Sequence, residues 1–156
     1  MSATPEAPAA PVGQRMSGVG RVLVVVYGIL ALAAIGRSTF QIITRFDESP
    51  VAYTLSAVAA VVYVLATIAL AARWDVIAWI TIVFELVGVL VVGTISVVAP
   101  SVLGLTDASP FGGQATVWSV YGAGYLFIPL VLPTLGLLWL RRTARRQAAS
   151  SSRGAA

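Results

Sequence analysis

Two ionisable side chains stand inside long apolar runs of this sequence, Arg37 in the first run and Glu85 in the third. Insertion scales give such a charge a cost of roughly +2.5 to +3.5 kcal/mol near a helix centre, so it needs protein or water beside it. A carboxylate and a guanidinium at that depth can bind a proton or an ion, or can form an ion pair with each other. These two residues are therefore the first candidates for chemistry in this chain.

Small and polar residues repeat at helical spacing on the same faces as these charges. The stripes are Tyr27, Ala34, Gln41 and Thr44 with Arg37; Ala78, Thr81, Gly88 and Ser96 with Glu85; and Ser56, Ala60, Tyr63, Thr67 and Ala71 in the second run. The sequence therefore predicts a polar interior between the helices. The predicted intramembrane polar site consists of Arg37, Gln41, Tyr63, Thr67, Thr81 and Glu85.

Depth estimates allow Arg37 and Glu85 to meet. Glu85 is ten residues past Asp75 and so about 15 Å from the inner interface, and Arg37 is sixteen past Arg21 and so about 24 Å from it. The offset of about 9 Å is reduced if the Arg37 side chain leans toward its helix N-terminus. Alternatively, Arg37 extends to the headgroups while Glu85 is protonated or bonded to a neighbouring hydroxyl. A structural role and a role with a substrate, proton or ion both stay open.

Most other chemistry is excluded by composition. The chain has no Cys and no His, and its ten basic residues are all Arg, so thiol nucleophiles, imidazole ligands and Schiff-base lysines are absent. No Gly-rich phosphate loop or G-x-S-x-G turn is present. We expect no enzymatic activity, no cofactor and no metal site. The net charge of +4 forms no basic, aromatic-interleaved face, so nucleic acid is not an expected partner.

Four apolar runs must position these side chains, at about residues 22–44, 50–72, 76–99 and 116–140. Each exceeds the roughly 20 residues that cross a bilayer, and the chain is 58% hydrophobic and 10% charged. We predict an all-α, transmembrane four-helix bundle over residues 21–142. Residues 1–20, rich in Ala, Pro and Gly, and the Arg-rich residues 143–156 are predicted to be disordered cytoplasmic tails.

Arginine placement predicts the orientation, because basic residues near span ends stay on the cytoplasmic side. Eight arginines fall on one side of four alternating spans: Arg15, Arg21, Arg73, Arg141, Arg142, Arg145, Arg146 and Arg153. We expect a multi-pass plasma-membrane protein with both termini cytoplasmic. The alternative is a cleaved signal with an apolar region from Val22 to Ile35, but apolar character resumes after Arg37.

Aromatic residues and prolines give further expectations. Trp74, Trp79 and Trp139 are predicted at the inner interface, and Tyr53 and Trp118 at the outer one. The short connection at 73–75 predicts an antiparallel hairpin of the second and third helices. Pro129 and Pro133 predict a kinked fourth helix. Residues 100–115 form either a partly buried re-entrant element or a flexible loop.

The segment GRSTFQ at residues 36–41, within four short spans that precede an Arg-rich tail, resembles the small four-helix membrane proteins of high-GC actinobacteria. The resemblance covers residues 21–142 and implies a membrane bundle without a particular activity. Small multidrug transporters are similar in size and in using one intramembrane Glu, but theirs lies in the first helix, whereas Glu85 lies in the third.

These observations favour a non-enzymatic accessory or structural subunit that binds other membrane proteins or itself within the lipid bilayer. A bundle with little mass outside the membrane has few surfaces on which to bind a partner except its lipid-facing helices. The alternative is a small transporter or channel component that uses Glu85 and Arg37.

Overall fold

A computed structural model of the protein describes residues 18–106, 109 and 114–154, and every element in this part is helical. The long helices are α1 (Gly18–Arg45), α2 (Pro50–Ala72), α3 (Asp75–Val98) and α4 (Ile128–Gly154). Short 3-10 helices cover Phe46–Glu48, Pro100–Leu103 and Ser119–Tyr125. The first three long helices are long and apolar enough to cross a membrane, and a fourth passage exists if Ser119–Tyr125 and α4 are counted together.

The predicted helical hairpin is confirmed. α2 begins at Pro50, where the missing N–H has no intrahelical role, and ends at Ala72. Arg73 then adopts a left-handed conformation with φ 59°, and the Trp74 N–H donates to the Ala69 carbonyl at 2.8 Å. This cap reverses the chain within two residues, so α3 starts at Asp75.

The helices pack in sequence order, α1 against α2, α2 against α3, and α3 against α4, while α4 contacts α1 only slightly. Small residues fill the α2 side of this packing, and Ala52, Ala59 and Ala66 are almost fully buried. Such residues let helix backbones approach closely, as association in lipid requires. The weak α1 to α4 contact leaves a groove open along the bundle.

The fourth apolar run is not the single helix that we predicted over 116–140. Ser119–Tyr125 and α4 meet at an angle of 98°. Five residues have left-handed φ values between 49° and 78°: Val120, Tyr121, Gly122, Leu126 and Phe127. The predicted kink is thus present as a sharp break, which lies just before Pro129; Pro129 falls in the first turn of α4, where it is tolerated, while α4 continues through Pro133.

We call residues 115–127 the broken segment. Within it, Trp118 and Ser119 are buried against the other helices. Much of the 100–115 loop, at residues 107–108 and 110–113, lies outside the described part of the chain, so both predictions for that loop stay untested. Pro100–Leu103 forms a 3-10 helix at the end of α3, and the Ser49 hydroxyl donates to the Gly104 carbonyl.

The C-terminal region also differs from the prediction. α4 runs to Gly154, so residues 143–154 are helical and not the disordered tail expected there. Arg, Ala and Gln in this stretch are good helix formers and extend a helix that has already started. The first seventeen residues of the predicted N-terminal tail lie outside the described part of the chain, and residues 18–20 belong to α1.

Candidate functional site: the polar cluster around Glu85

Glu85 lies near the middle of α3 and faces the interior, with none of its surface exposed. The Tyr27 hydroxyl of α1 donates a hydrogen bond of 2.7 Å to Glu85 Oε2. The other carboxyl oxygen, Oε1, is buried and has no hydrogen-bond partner. A carboxyl group is therefore held inside the bundle by one short hydrogen bond from a neighbouring helix.

Two further aromatic side chains extend this network. The rings of Tyr27 and Tyr63 lie 6.3 Å apart between centroids and are tilted by 52°. The indole N–H of Trp118 donates to the Tyr63 hydroxyl at 3.2 Å. Tyr27, Tyr63, Glu85 and Trp118, which we call the polar cluster, come from α1, α2, α3 and the broken segment. All four are at most 2% exposed.

Glycines on α3 make room for the broken segment. A Cβ atom added at Gly88 would lie 2.8 Å from the Trp118 ring, and one at Gly93 would lie 2.8 Å from the backbone nitrogen of Tyr121. Both distances are shorter than real contacts, so neither position tolerates a larger residue without movement. These glycines allow the segment to lie directly on α3.

Side-chain hydroxyls satisfy the irregular backbone of this segment. The Val120 N–H donates to Ser96 Oγ at 2.8 Å, and Thr116 Oγ1 accepts from the N–H groups of Trp118 and Ser119 at 3.1 and 2.9 Å. Non-helical backbone at membrane depth is tolerated only where protein or water supplies such partners. The segment is therefore built into the bundle.

Trp118 was predicted at the outer interface and is found in the interior. Its ring packs on Gly88, near the middle of α3, and meets the Phe84 ring edge-on at 6.5 Å between centroids. The sequence suggested an interfacial position because Trp118 starts the fourth apolar run. The break before α4 instead turns this residue toward α2 and α3.

Arg37 lies outside the polar cluster and is only partly buried. Its guanidinium donates to the Tyr125 hydroxyl at 3.3 Å and to the Ala115 carbonyl, and it lies 6.0 Å from the centre of the Tyr125 ring. Arg37 and Glu85 thus have different partners and do not form the pair that their depths allowed. Arg37 fixes both ends of the broken segment to α1.

The other predicted site residues do not join the cluster. Thr81 and Thr67 donate to carbonyls of their own helices, those of Ile77 and Tyr63, at 2.8 and 2.7 Å. Gln41 is buried one turn beyond Arg37. Of the predicted six, only Tyr63 and Glu85 belong to the polar cluster.

Sequence reasoning missed Tyr27 and Trp118 as members. Tyr27 stood on the Arg37 stripe, but its depth, about 9 Å past Arg21 against about 15 Å past Asp75 for Glu85, was the signal that could have placed it near Glu85. No spacing rule identifies Trp118, because its position depends on a backbone break that has no fixed period.

The chemistry open to this cluster is limited to hydrogen bonding and to holding a proton. It contains one carboxyl, two phenols and an indole, without a basic group. Among the described residues, no group of three His, Cys, Asp or Glu side chains is placed to hold a metal ion. Two surface grooves lie between α1 and α4 and between α1 and α2, and no residue of the cluster lines either of them.

Comparisons with protein-family models, with curated proteins and with solved structures gave no match to this chain.

Proposed function

We propose that this protein is a non-enzymatic accessory or structural subunit of the plasma membrane, which associates with other membrane proteins or with itself. The observation that supports this most is the burial of the polar cluster. Glu85, Tyr27 and Tyr63 have no exposed surface, so they present nothing to a solute. The outward helix faces are then the surfaces on which such a protein acts.

The groove between α1 and α2 is the surface best suited to a partner helix. It has a volume of about 430 Å³ and is lined by Gly28, Ala31 and Thr67 together with aliphatic side chains. A Cβ atom at Gly28 would meet only the Thr67 methyl, at 3.8 Å, so the space above this glycine is open. Small residues at such a position permit close approach of another transmembrane helix.

Co-purification in mild detergent tests this proposal. The native chain should recover a stoichiometric membrane partner or a second, differently tagged copy, and Gly28→Leu should reduce that recovery at least tenfold. Gly36→Leu is the matched control, because Gly36 lies on the same helix, has nothing within 4 Å of its added Cβ and does not line the groove. If the native chain recovers nothing, or if both variants behave alike, the proposal is wrong.

A small transporter or channel component is the second candidate, favoured by the Glu85 Oε1 atom without a partner and by the broken fourth passage. Broken helices and single buried acids both occur in transporters. In reconstituted vesicles, Glu85-dependent transport of protons should make an imposed pH gradient decay faster with the native chain than with Glu85→Gln. Glu48→Gln, an exposed acid, is the control. An accessory subunit leaves the gradient unchanged in all three cases.

We further propose that both termini are cytoplasmic, on the basis of the arginine distribution. The native chain has no Cys, so single cysteines report position without background. Cysteines placed before Arg15 and after Arg146 should resist an impermeant thiol reagent added outside, while one at Ser109 should be labelled. Labelling of either terminus from outside would contradict this topology.

A further inference from the structure

The groove between α1 and α4 has a composition that changes along its length. Its volume is about 910 Å³, and its apolar walls include Val22 and Val26 of α1 and Val131 and Leu135 of α4. We call it the basic groove, because Arg73, Arg142 and Arg146 line one of its ends. It is open because α4 packs on α3 and hardly on α1.

The apolar part of the basic groove has the length of one lipid leaflet. On α4 this part extends from Ile128 to Trp139, about 16 Å at 1.5 Å per residue. Half of a hydrocarbon core of roughly 30 Å is about 15 Å. Because α4 begins at the break and not at the opposite membrane surface, the groove fits the chains of one leaflet.

The polar end of the groove lies one to two turns beyond Trp139. Arg142 and Arg146 are four residues apart and so project from the same face of α4. Arg73 comes from the turn between α2 and α3, and Thr143 and Gln147 add hydrogen-bonding groups. No acidic residue is among the described side chains that line the groove.

We infer that the basic groove binds one anionic phospholipid from the leaflet on its arginine side. The phosphate would lie at Arg142 and Arg146, with an acyl chain along Val22, Val26, Val131 and Leu135. Arginine forks match phosphate oxygens, and basic sites between membrane helices at headgroup level suit anionic lipids. A zwitterionic lipid with the same chains lacks the net charge that this end recognises.

Native mass spectrometry of the full chain with added lipid tests this inference. Phosphatidylglycerol and phosphatidylcholine with identical acyl chains would be titrated against the native protein, Arg142→Gln/Arg146→Gln and Arg141→Gln/Arg145→Gln. The second pair is the matched control, because it removes the same charge from residues that do not line the groove; Arg141 instead lies 5.6 Å from the centre of the Trp79 ring.

The native chain should bind one phosphatidylglycerol in preference to phosphatidylcholine. The groove pair should weaken that binding about 30-fold, from the attraction expected of two arginines at a membrane surface. The control pair should change it by less than about threefold. Equal losses in the two pairs, or equal binding of the two lipids, would overturn the inference.

Two further measurements separate a lipid from other occupants. Leu135→Trp, which fills the apolar wall at a half-exposed position, should also weaken phosphatidylglycerol binding at least tenfold. Excess glycerol phosphate should not displace the lipid. Unchanged binding in Leu135→Trp would mean that no acyl chain occupies the groove, and displacement by glycerol phosphate would mean that the arginines bind a free phosphate; either result contradicts the inference.

Discussion

α3 and the broken segment lie against each other and are both apolar, yet they hold their backbones in different ways. α3 is continuous over 24 residues and satisfies its backbone through its own hydrogen bonds. The broken segment relies on hydroxyls, those of Ser96, Thr116 and Ser119, and on the guanidinium of Arg37. The irregular backbone is thus stabilised by side chains, both its own, Thr116 and Ser119, and those of neighbouring helices, Ser96 and Arg37.

The two ionisable side chains inside the apolar runs divide between these regions. Glu85 belongs to the regular helix and has one aromatic partner, Tyr27, whereas Arg37 holds the irregular segment. We therefore expect changes in the broken segment to affect stability mainly through contacts with α3, and changes at the two charges to be independent of each other.

The largest effect should follow Trp118→Ala, because it removes the side chain that joins the broken segment to both α2 and α3. Loss of a fully buried Trp leaves a cavity and should lower the free energy of unfolding by about 3 to 4 kcal/mol. Unfolding in mild detergent would measure this. Trp74→Ala is the control, since Trp74 is about half exposed. An equal loss of unfolding free energy in both variants would contradict the central packing role of Trp118.

Gly93→Ala should come next, with a cost of about 2 kcal/mol, because the new methyl group would meet the Tyr121 backbone and cannot be avoided by a side-chain rotation. The same substitution at Gly36, where the added Cβ has nothing within 4 Å, should be neutral or slightly stabilising. Comparable thermal unfolding of the two variants would show that the segment does not lie on α3.

Tyr27→Phe should cost about 1 to 2 kcal/mol, since it leaves the Glu85 carboxyl without its one hydrogen bond. A double-mutant cycle with Glu85→Leu should give a coupling energy of about 1 kcal/mol for Tyr27. The corresponding cycle of Arg37→Gln with Glu85→Leu should be additive within about 0.5 kcal/mol. Strong coupling in the second cycle would indicate that the two charges interact after all.

Leu126→Gly should have the smallest effect and the opposite sign. Leu126 has φ 55° and is 83% exposed, so glycine relieves an unfavourable conformation and loses few contacts. After the entropic cost of glycine, we expect a net stabilisation of about 0.5 to 1 kcal/mol. In α3, Leu90→Gly should instead destabilise by about 1 kcal/mol. Destabilisation of the protein by Leu126→Gly would argue against the left-handed backbone there.

The features that the sequence predicted correctly, helix bounds and buried helix faces, depend on local rules. The bounds of α2 follow from Pro50 at its start and from the short 73–75 turn, and the burial of Glu85, Thr81 and Ser96 follows from helical period. Pro129 and Pro133 predicted a bend in the fourth apolar run, but neither its size nor its position at 126–127, because each proline is compatible with α4. Tertiary contacts at Gly88 and Gly93 determine the position of Trp118, and no local pattern contains them.

The central claim, that the Glu85 carboxyl is enclosed by protein, is tested most directly by carbodiimide modification of the native chain in vesicles that carry the reagent on both sides of the membrane. One lipid-soluble and one water-soluble carbodiimide would be applied, and each acid would be quantified by peptide mass spectrometry. Glu48 and Asp75 are exposed and should be modified by the water-soluble reagent. We expect Glu85 to stay unmodified by either reagent when those two acids have reacted fully, and to react after Trp118→Ala opens the cluster. Rapid modification of Glu85 in the native chain would contradict the claim and would support a transport role for this carboxyl.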